Sequence, residues 1–127
     1  MPPTTAERDV LFQDFARAFF KHDMDALYRV VSPDFVWRYH DGLSPEVVLT
    51  GRDAILKHLN ENKALYATSR FHDVTYHHLP DVSFMTFRVS ETVRSTGEQR
   101  EQRGIERYTF ECGKIATKDV YRKPIVS

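Results

Sequence analysis

Near Arg70 the spacing of apolar residues changes from helical to two, and the alternation then persists almost to the end of the chain. Few architectures accept that change. The second half reads as strands over 71–79, 82–94, 99–110 and 114–122, with turns at Pro80-Asp81, Thr96-Gly97 and Cys112-Gly113. Centring the first turn on Pro80-Asp81 sets Val74 opposite Phe87, Tyr76 opposite Met85 and Asp73 opposite Arg88. Centring the second on Thr96-Gly97 sets Phe87 opposite Glu106, Met85 opposite Tyr108 and Val89 opposite Gly104. One face therefore collects Val74, Tyr76, Met85, Phe87, Val89, Tyr108 and Phe110. The other collects Thr75, Thr86, Arg88, Arg107 and Thr109, with a cross-strand Asp73–Arg88 pair. The two turns are placed independently and agree on which face is apolar.

That apolar face needs a cover, and the first half supplies one. Thr4-Thr-Ala-Glu7 has the form of a capping box, followed by Val10, Leu11, Phe15, Ala18 and Phe19 at helical spacing. Asp23 can cap a second helix through Val31, which Ser32-Pro33 stops. From Phe35 to Tyr39 the chain alternates as a strand, with Phe35, Trp37 and Tyr39 on one face. After a turn-rich loop at 41–45, Thr50-Gly-Arg-Asp53 reads as a cap for a third helix carrying Ile55, Leu56 and Leu59. The expected fold is α+β: three N-terminal helices packed on a strongly curved antiparallel sheet, forming a cone with an internal cavity.

With 127 residues, the chain has room for one sizeable core, so a single domain over 1–127 is expected. A hydrophobic fraction of 41% excludes a disordered chain. Basic and acidic residues balance at 18 each, and the run from Glu98 to Arg107 alternates in sign. That pattern excludes nucleic acid and an anionic membrane as partners. No apolar stretch resembles a signal peptide or a bilayer span, so a cytoplasmic protein is expected. One cysteine excludes a disulfide framework and a multi-cysteine zinc site. Cys112 falls in a tight turn with no helix N-terminus to activate it.

The histidines lack ligand spacing. His77 and His78 point to opposite faces, and His72 and His78 stand ~20 Å apart along a strand, so no metal is expected. No cofactor is expected either, for want of a Gly-rich phosphate loop or a dinucleotide fingerprint.

Four segments carry a family resemblance: His22-Asp-Met-Asp-Ala-Leu27, Ser32-Pro-Asp-Phe-Val-Trp37, Leu49-Thr-Gly-Arg-Asp-Ala-Ile55 and Phe110-Glu-Cys-Gly-Lys-Ile115. In order and spacing the chain resembles the nuclear transport factor two-like superfamily, from about Ala6 to Pro124. Within it, the chain is most similar to the SnoaL-like polyketide cyclases and ketosteroid isomerase-like proteins. The resemblance implies a cone-shaped, cystatin-like α+β barrel and a homodimer through the outer sheet face. It leaves chemistry open, since the fold hosts isomerases, cyclases, dehydratases, epoxide hydrolases and binding modules. Positions matching the tyrosine, aspartate base and carboxylic acid of the isomerase branch hold Phe15, Tyr39 and Glu106. Phe15 has no hydroxyl and Tyr39 is no base at neutral pH, which argues against steroid isomerisation. The epoxide-hydrolase arginine is missing from Gly104-Ile105-Glu106. The cyclase branch needs mainly one acidic side chain in an apolar cavity, a role Glu106 can fill.

Glu106 is the leading catalytic candidate. Desolvation without a cationic partner disfavours a carboxyl group's charged form. Such a group can donate a proton to a substrate oxygen or accept one from an acidic C–H. Asp41 shares the parity of Trp37 and Tyr39 and is a second acid/base candidate at the cavity mouth, beside its simpler reading as an Asp-Gly turn. Glu91 and Gln102 share the inward parity but are expected in solvent near a hairpin tip. His78 is either a second inward base near the rim or a surface histidine. Phe15, Phe19, Trp37, Tyr39, Tyr76, Phe87 and Tyr108 are the candidate substrate lining. A two-residue turn at Cys112-Gly113 places Asp119 opposite Glu106, whereas the family alignment turns Lys118 and Val120 inward, where Lys118 can pair with Glu106. A one-residue bulge decides between them.

These features lead to a small-molecule enzyme doing acid/base chemistry (cyclisation, isomerisation or dehydration) on an apolar or aromatic carbonyl compound. The alternative is a non-catalytic small-ligand-binding or dimeric assembly module of the same fold.

Overall fold

The computed structural model describes residues 2–40 and 45–125. Helices α1 (Thr5–Lys21) and α2 (Met24–Val30) lead into strands β1 (Val31–His40) and β2 (Val47–Thr50). Helix α3 (Arg52–Leu65) follows, then the long strands β3 (Tyr66–His78), β4 (Val82–Val93), β5 (Gln99–Glu111) and β6 (Lys114–Pro124). The six strands form one sheet in the order β2-β1-β6-β5-β4-β3. The expected α+β class holds, with α3 following the first strand in the order read from the sequence and one difference in the sheet. The sheet is not wholly antiparallel, because β1 runs parallel to β6. Among the described residues no helix is long and apolar enough to cross a membrane.

The caps form as local chemistry dictates, with one exception. Thr4 and Glu7 close a reciprocal capping box, the Glu7 amide donating to Thr4 Oγ1 at 3.2 Å and the Thr4 amide to Glu7 Oε1 at 2.8 Å. Asp23 accepts from the Ala26 amide at 3.1 Å and starts α2. The cap expected at Thr50 does not form. Gly51 occupies the N-cap of α3 at φ 84°, without a side-chain bond, a backbone angle that glycine alone adopts freely. Strand β2, absent from the sequence reading, is a four-residue edge strand pairing with 36–39 of β1. Its Val47-Val48-Leu49 run is too short to alternate visibly.

Three irregularities adjust the expected register. Around the β3–β4 turn Tyr76 faces Met85 as expected, but the register shifts between His72 and Thr75, where Asp73 takes φ 54°. Val74 is consequently 43% exposed and Phe71 packs on Phe87 at 5.0 Å between ring centroids. The expected Asp73–Arg88 pair is replaced by His72 opposite Arg88, with Glu101 3.9 Å from that guanidinium.

The β4–β5 hairpin is slipped by two residues, so Glu106 faces Met85 and Gly104 faces Phe87. A slip of two preserves parity, which keeps Glu106 on the inner face. Gly104 is required there: a Cβ would lie 2.5 Å from the Tyr121 carbonyl oxygen and 2.6 Å from the Phe87 ring.

The third irregularity lies between Thr109 and Phe110 in the β5–β6 pairing, leaving Ala116 as the extra residue. Lys118 then stands opposite Tyr108 and Val120 opposite Glu106, which resolves the open choice in favour of Lys118 inward. Asp119 turns outward, between Arg38 at 3.6 Å and Arg107 at 3.8 Å.

The core lies between the helices and the inner face, built from Phe12, Phe15, Leu27, Phe35, Ile55, Val89 and Ile115 among others. At one end Arg8 is buried and fastens α1 to the β3–β4 turn. Its guanidinium donates to the carbonyls of Pro3 (2.9 Å), Leu79 (2.5 Å), Pro80 (2.7 Å) and Val82 (3.2 Å) and to Ser83 Oγ (3.2 Å).

Candidate active site

Strands β5 and β6 present Glu106, Tyr108 and Lys118 to the same inner face, under the aromatic stripe of α1 and beside Trp37 of β1. Glu106 is 2% exposed. The Tyr108 hydroxyl donates to its Oε1, and the Lys118 ammonium lies 3.8 Å from the same oxygen. Glu106 therefore has a cationic partner, which is the Lys118-inward alternative of the sequence reading. Aromatic faces complete the cage around Lys118: Phe19 at 4.3 Å, Trp37 at 4.9 Å and Phe15 at 5.3 Å from the ammonium.

Burial pushes the Lys118 ammonium below its usual range, with the Glu106 charge opposing. Burial, then the Glu106 charge, raises the Tyr108 phenol well above the ordinary value. The same causes, with Asp9 adding a little, push Tyr76 up to about 12. At 3.8 Å the Glu106–Lys118 attraction is about 4 kcal/mol at an effective dielectric of about 20. Withdrawing two charges from water costs several kcal/mol per ion. The pair is thus a poor source of stability.

A second ion pair sits farther along the same face. Arg122 approaches Glu91 at 3.5 Å, with its guanidinium 5.4 Å from Tyr39, 5.4 Å from Phe71 and 5.6 Å from Phe87. Glu91 is 6% exposed rather than in solvent at a hairpin tip. Arg122 escaped the sequence reading because its parity depends on the Ala116 bulge.

His58 was also missed. Its ring stands perpendicular to Trp37 at 5.0 Å and 6.3 Å from Tyr39. Its pKa is lowered, chiefly by burial, with Lys118 and Arg122 adding to the effect and Glu61 opposing it. The signal was available: His58 lies three residues after Ile55 and one before Leu59, on the buried stripe of α3.

The candidate lining divides accordingly. Phe15, Phe19 and Trp37 surround Lys118, and Tyr108 and Tyr76 lie about Glu106. Tyr39 and Phe87 belong with Arg122. Asp41 lies outside the described residues. A cavity of about 550 Å³ opens over β4–β6 around Gly104, bordered by Arg88, Arg103, Ile105 and Tyr121, and of the candidate lining only Phe87 touches it.

His78 is a clamp between β3, β4 and α1. Its Nδ1 meets Ser83 Oγ at 2.7 Å and its Nε2 meets Asp9 Oδ1 at 3.1 Å. Ser83 is fully buried and already accepts from Arg8, so this Asp-His-Ser arrangement offers no accessible nucleophile.

Comparison with solved structures places the fold among NTF2-like proteins. An NTF2-like protein of Burkholderia xenovorans superposes with a TM-score of 0.81 at 17% identity, over 94% of this chain and 91% of that one. A proposed polyketide cyclase of Xanthomonas campestris gives 0.73 at 17% identity, over 91% and 90%. A proposed isomerase of Bacillus subtilis gives 0.71 at 19%, over 92% and 86%. No curated protein matches the chain. The SnoaL-like domain matches residues 12–118, and the chain belongs to that family.

Proposed function

We propose that this SnoaL-like protein is a small-molecule enzyme that cyclises, isomerises or dehydrates an apolar or aromatic carbonyl compound held in a conical pocket. The observation that carries the reading is the buried Glu106–Lys118–Tyr108 cluster. Glu106 takes the proton from a carbon next to the carbonyl, the C–H electron pair forms a carbon–carbon double bond, and the carbonyl π pair moves onto the oxygen. Lys118 donates a hydrogen bond to that oxygen and balances its developing charge. Glu106 then returns the proton to another carbon, or the enolate carbon attacks a second carbonyl whose oxygen takes the proton from Glu106, or a hydroxyl group on the next carbon leaves as water with that proton. Tyr108 holds the carboxylate in place. Trp37, Phe15 and Phe19 pack against the substrate's apolar body, and Tyr76 orients its polar end. A homodimer through the outer sheet face belongs to the same proposal and is supported by the exposed Ile105 and Tyr121.

The tight burial of Glu106 and Tyr108 favours a second reading, in which the pair is core and the protein binds or assembles without turnover. A thermal-shift screen of wild type and Glu106→Gln against steroids, aromatic polyketides, short aromatic acids and epoxides separates the two. The enzyme reading expects a compound that raises the melting temperature of both proteins and is converted by wild type alone. Binding without conversion by either protein, with affinity lost when Trp37 or Tyr76 is trimmed, establishes the second.

A further inference from the structure

We propose that Trp37, His58, Lys118 and Arg122 form a subsite for a carboxylate, so that the compound taken up is an aromatic or apolar acid anion. The inference rests on the reading above for the location of the site and not for its reaction.

These four side chains are rich in donors and poor in acceptors. Indole, ammonium and guanidinium groups only donate, and a neutral imidazole supplies one acceptor. Two of the donors, Trp37 Nε1 and Arg122 Nε, are buried without a hydrogen-bond partner among the described residues. Trp37 itself is 6% exposed. Buried N–H groups left unpaired are rare and costly. The nearby carboxylates do not relieve them, because Glu106 is engaged by Tyr108 and Lys118, and Glu91 lies 3.5 Å from an Arg122 terminal nitrogen.

The four groups are contiguous. Trp37 and Lys118 are register partners on the parallel β1–β6 pair, and the ammonium lies 4.9 Å from the indole ring. His58 stands 5.0 Å from the same indole, and Tyr39 bridges His58 and Arg122 at 6.3 Å and 5.4 Å. A carboxylate brings two oxygens with about four lone-pair sites, which suits donors arriving from two strands and a helix.

Charge sets the second condition. Lys118 and Arg122 are already balanced by Glu106 and Glu91, so an entering anion brings an uncompensated negative charge. His58 can offset it. The groups facing the imidazole are Lys118 and Arg122 from β6, Trp37 and Tyr39 from β1, and Glu61 on its own helix. The two cations favour the neutral ring, and a carboxylate beside it reverses that balance. Binding is therefore coupled to uptake of a proton by His58.

Calorimetric titration at pH 7.5, in two buffers of different ionisation enthalpy, tests this with benzoate, phenylacetate and cinnamate, each beside its amide. At least one acid is expected to bind wild type tenfold or more tightly than its amide, with proton uptake. His58→Gln is expected to lose the uptake, and Trp37→Phe to weaken the acid while sparing the amide. Equal affinity for every acid and its amide, absence of acid binding, or binding without proton uptake overturns the subsite. Glu106→Gln keeps the acid preference if the subsite is right, even where the catalytic reading fails. Turnover that depends on Glu106 without any acid preference sinks the subsite alone.

Discussion

At Tyr76 the phenol is pushed up to about 12 by burial, with help from the charges of Glu106 and Asp9. An unfolded chain releases that proton near 10. Between these values the native protein holds the proton while the unfolded chain has lost it, so native stability falls as pH rises through the window. Tyr76→Phe removes this contribution, and the wild-type advantage in urea midpoint over Tyr76→Phe is expected to shrink between pH 10 and 12. Midpoint curves that stay parallel across that range contradict the assignment.

The same residues show how far a site can be read from sequence. Glu106 was legible because strand parity survives a two-residue slip. Its partner stayed open between two alternatives, since one extra residue at Ala116 reverses which of Lys118 and Asp119 faces inward. Arg122 was lost for the same reason. His58 was within reach on the Ile55–Leu59 stripe, where an imidazole among aliphatic residues is easily read as a surface break.

Among the elements, α1 and the β3–β4 hairpin depend on Arg8. Replacing it with Met keeps most of the stem but leaves four carbonyls and the Ser83 hydroxyl without their donor. Arg8→Met is expected to lower stability by about 2–4 kcal/mol in urea unfolding. A loss below about 0.5 kcal/mol contradicts the fastening role. Long alternating strands and capped helices were legible because period and cap chemistry are local properties. Bulges were not: the turn at Asp73 depends on which pairing packs Phe71 on Phe87, a contact across two strands. The short β2 edge and the parallel β1–β6 pairing depend on long-range docking in the same way.

Across the whole molecule, the parallel pairing assembles the proposed site. It brings Trp37 of the first strand beside Lys118 of the last, and the β5–β6 bulge then carries Lys118 to Glu106. A charged pair thus sits in the core of a chain whose net charge is zero. The fold follows from the order of elements, but the proposed chemistry rests on this one juxtaposition.

The most direct measurement is deuterium incorporation in D₂O, followed by NMR, on a carbonyl compound that raises the melting temperature of both wild type and Glu106→Gln. Wild type is predicted to label the carbon next to the carbonyl at least about 100-fold faster than Glu106→Gln, the scale of a positioned acid/base. Equal rates for the two proteins would contradict proton transfer by Glu106 and leave the buried pair as core.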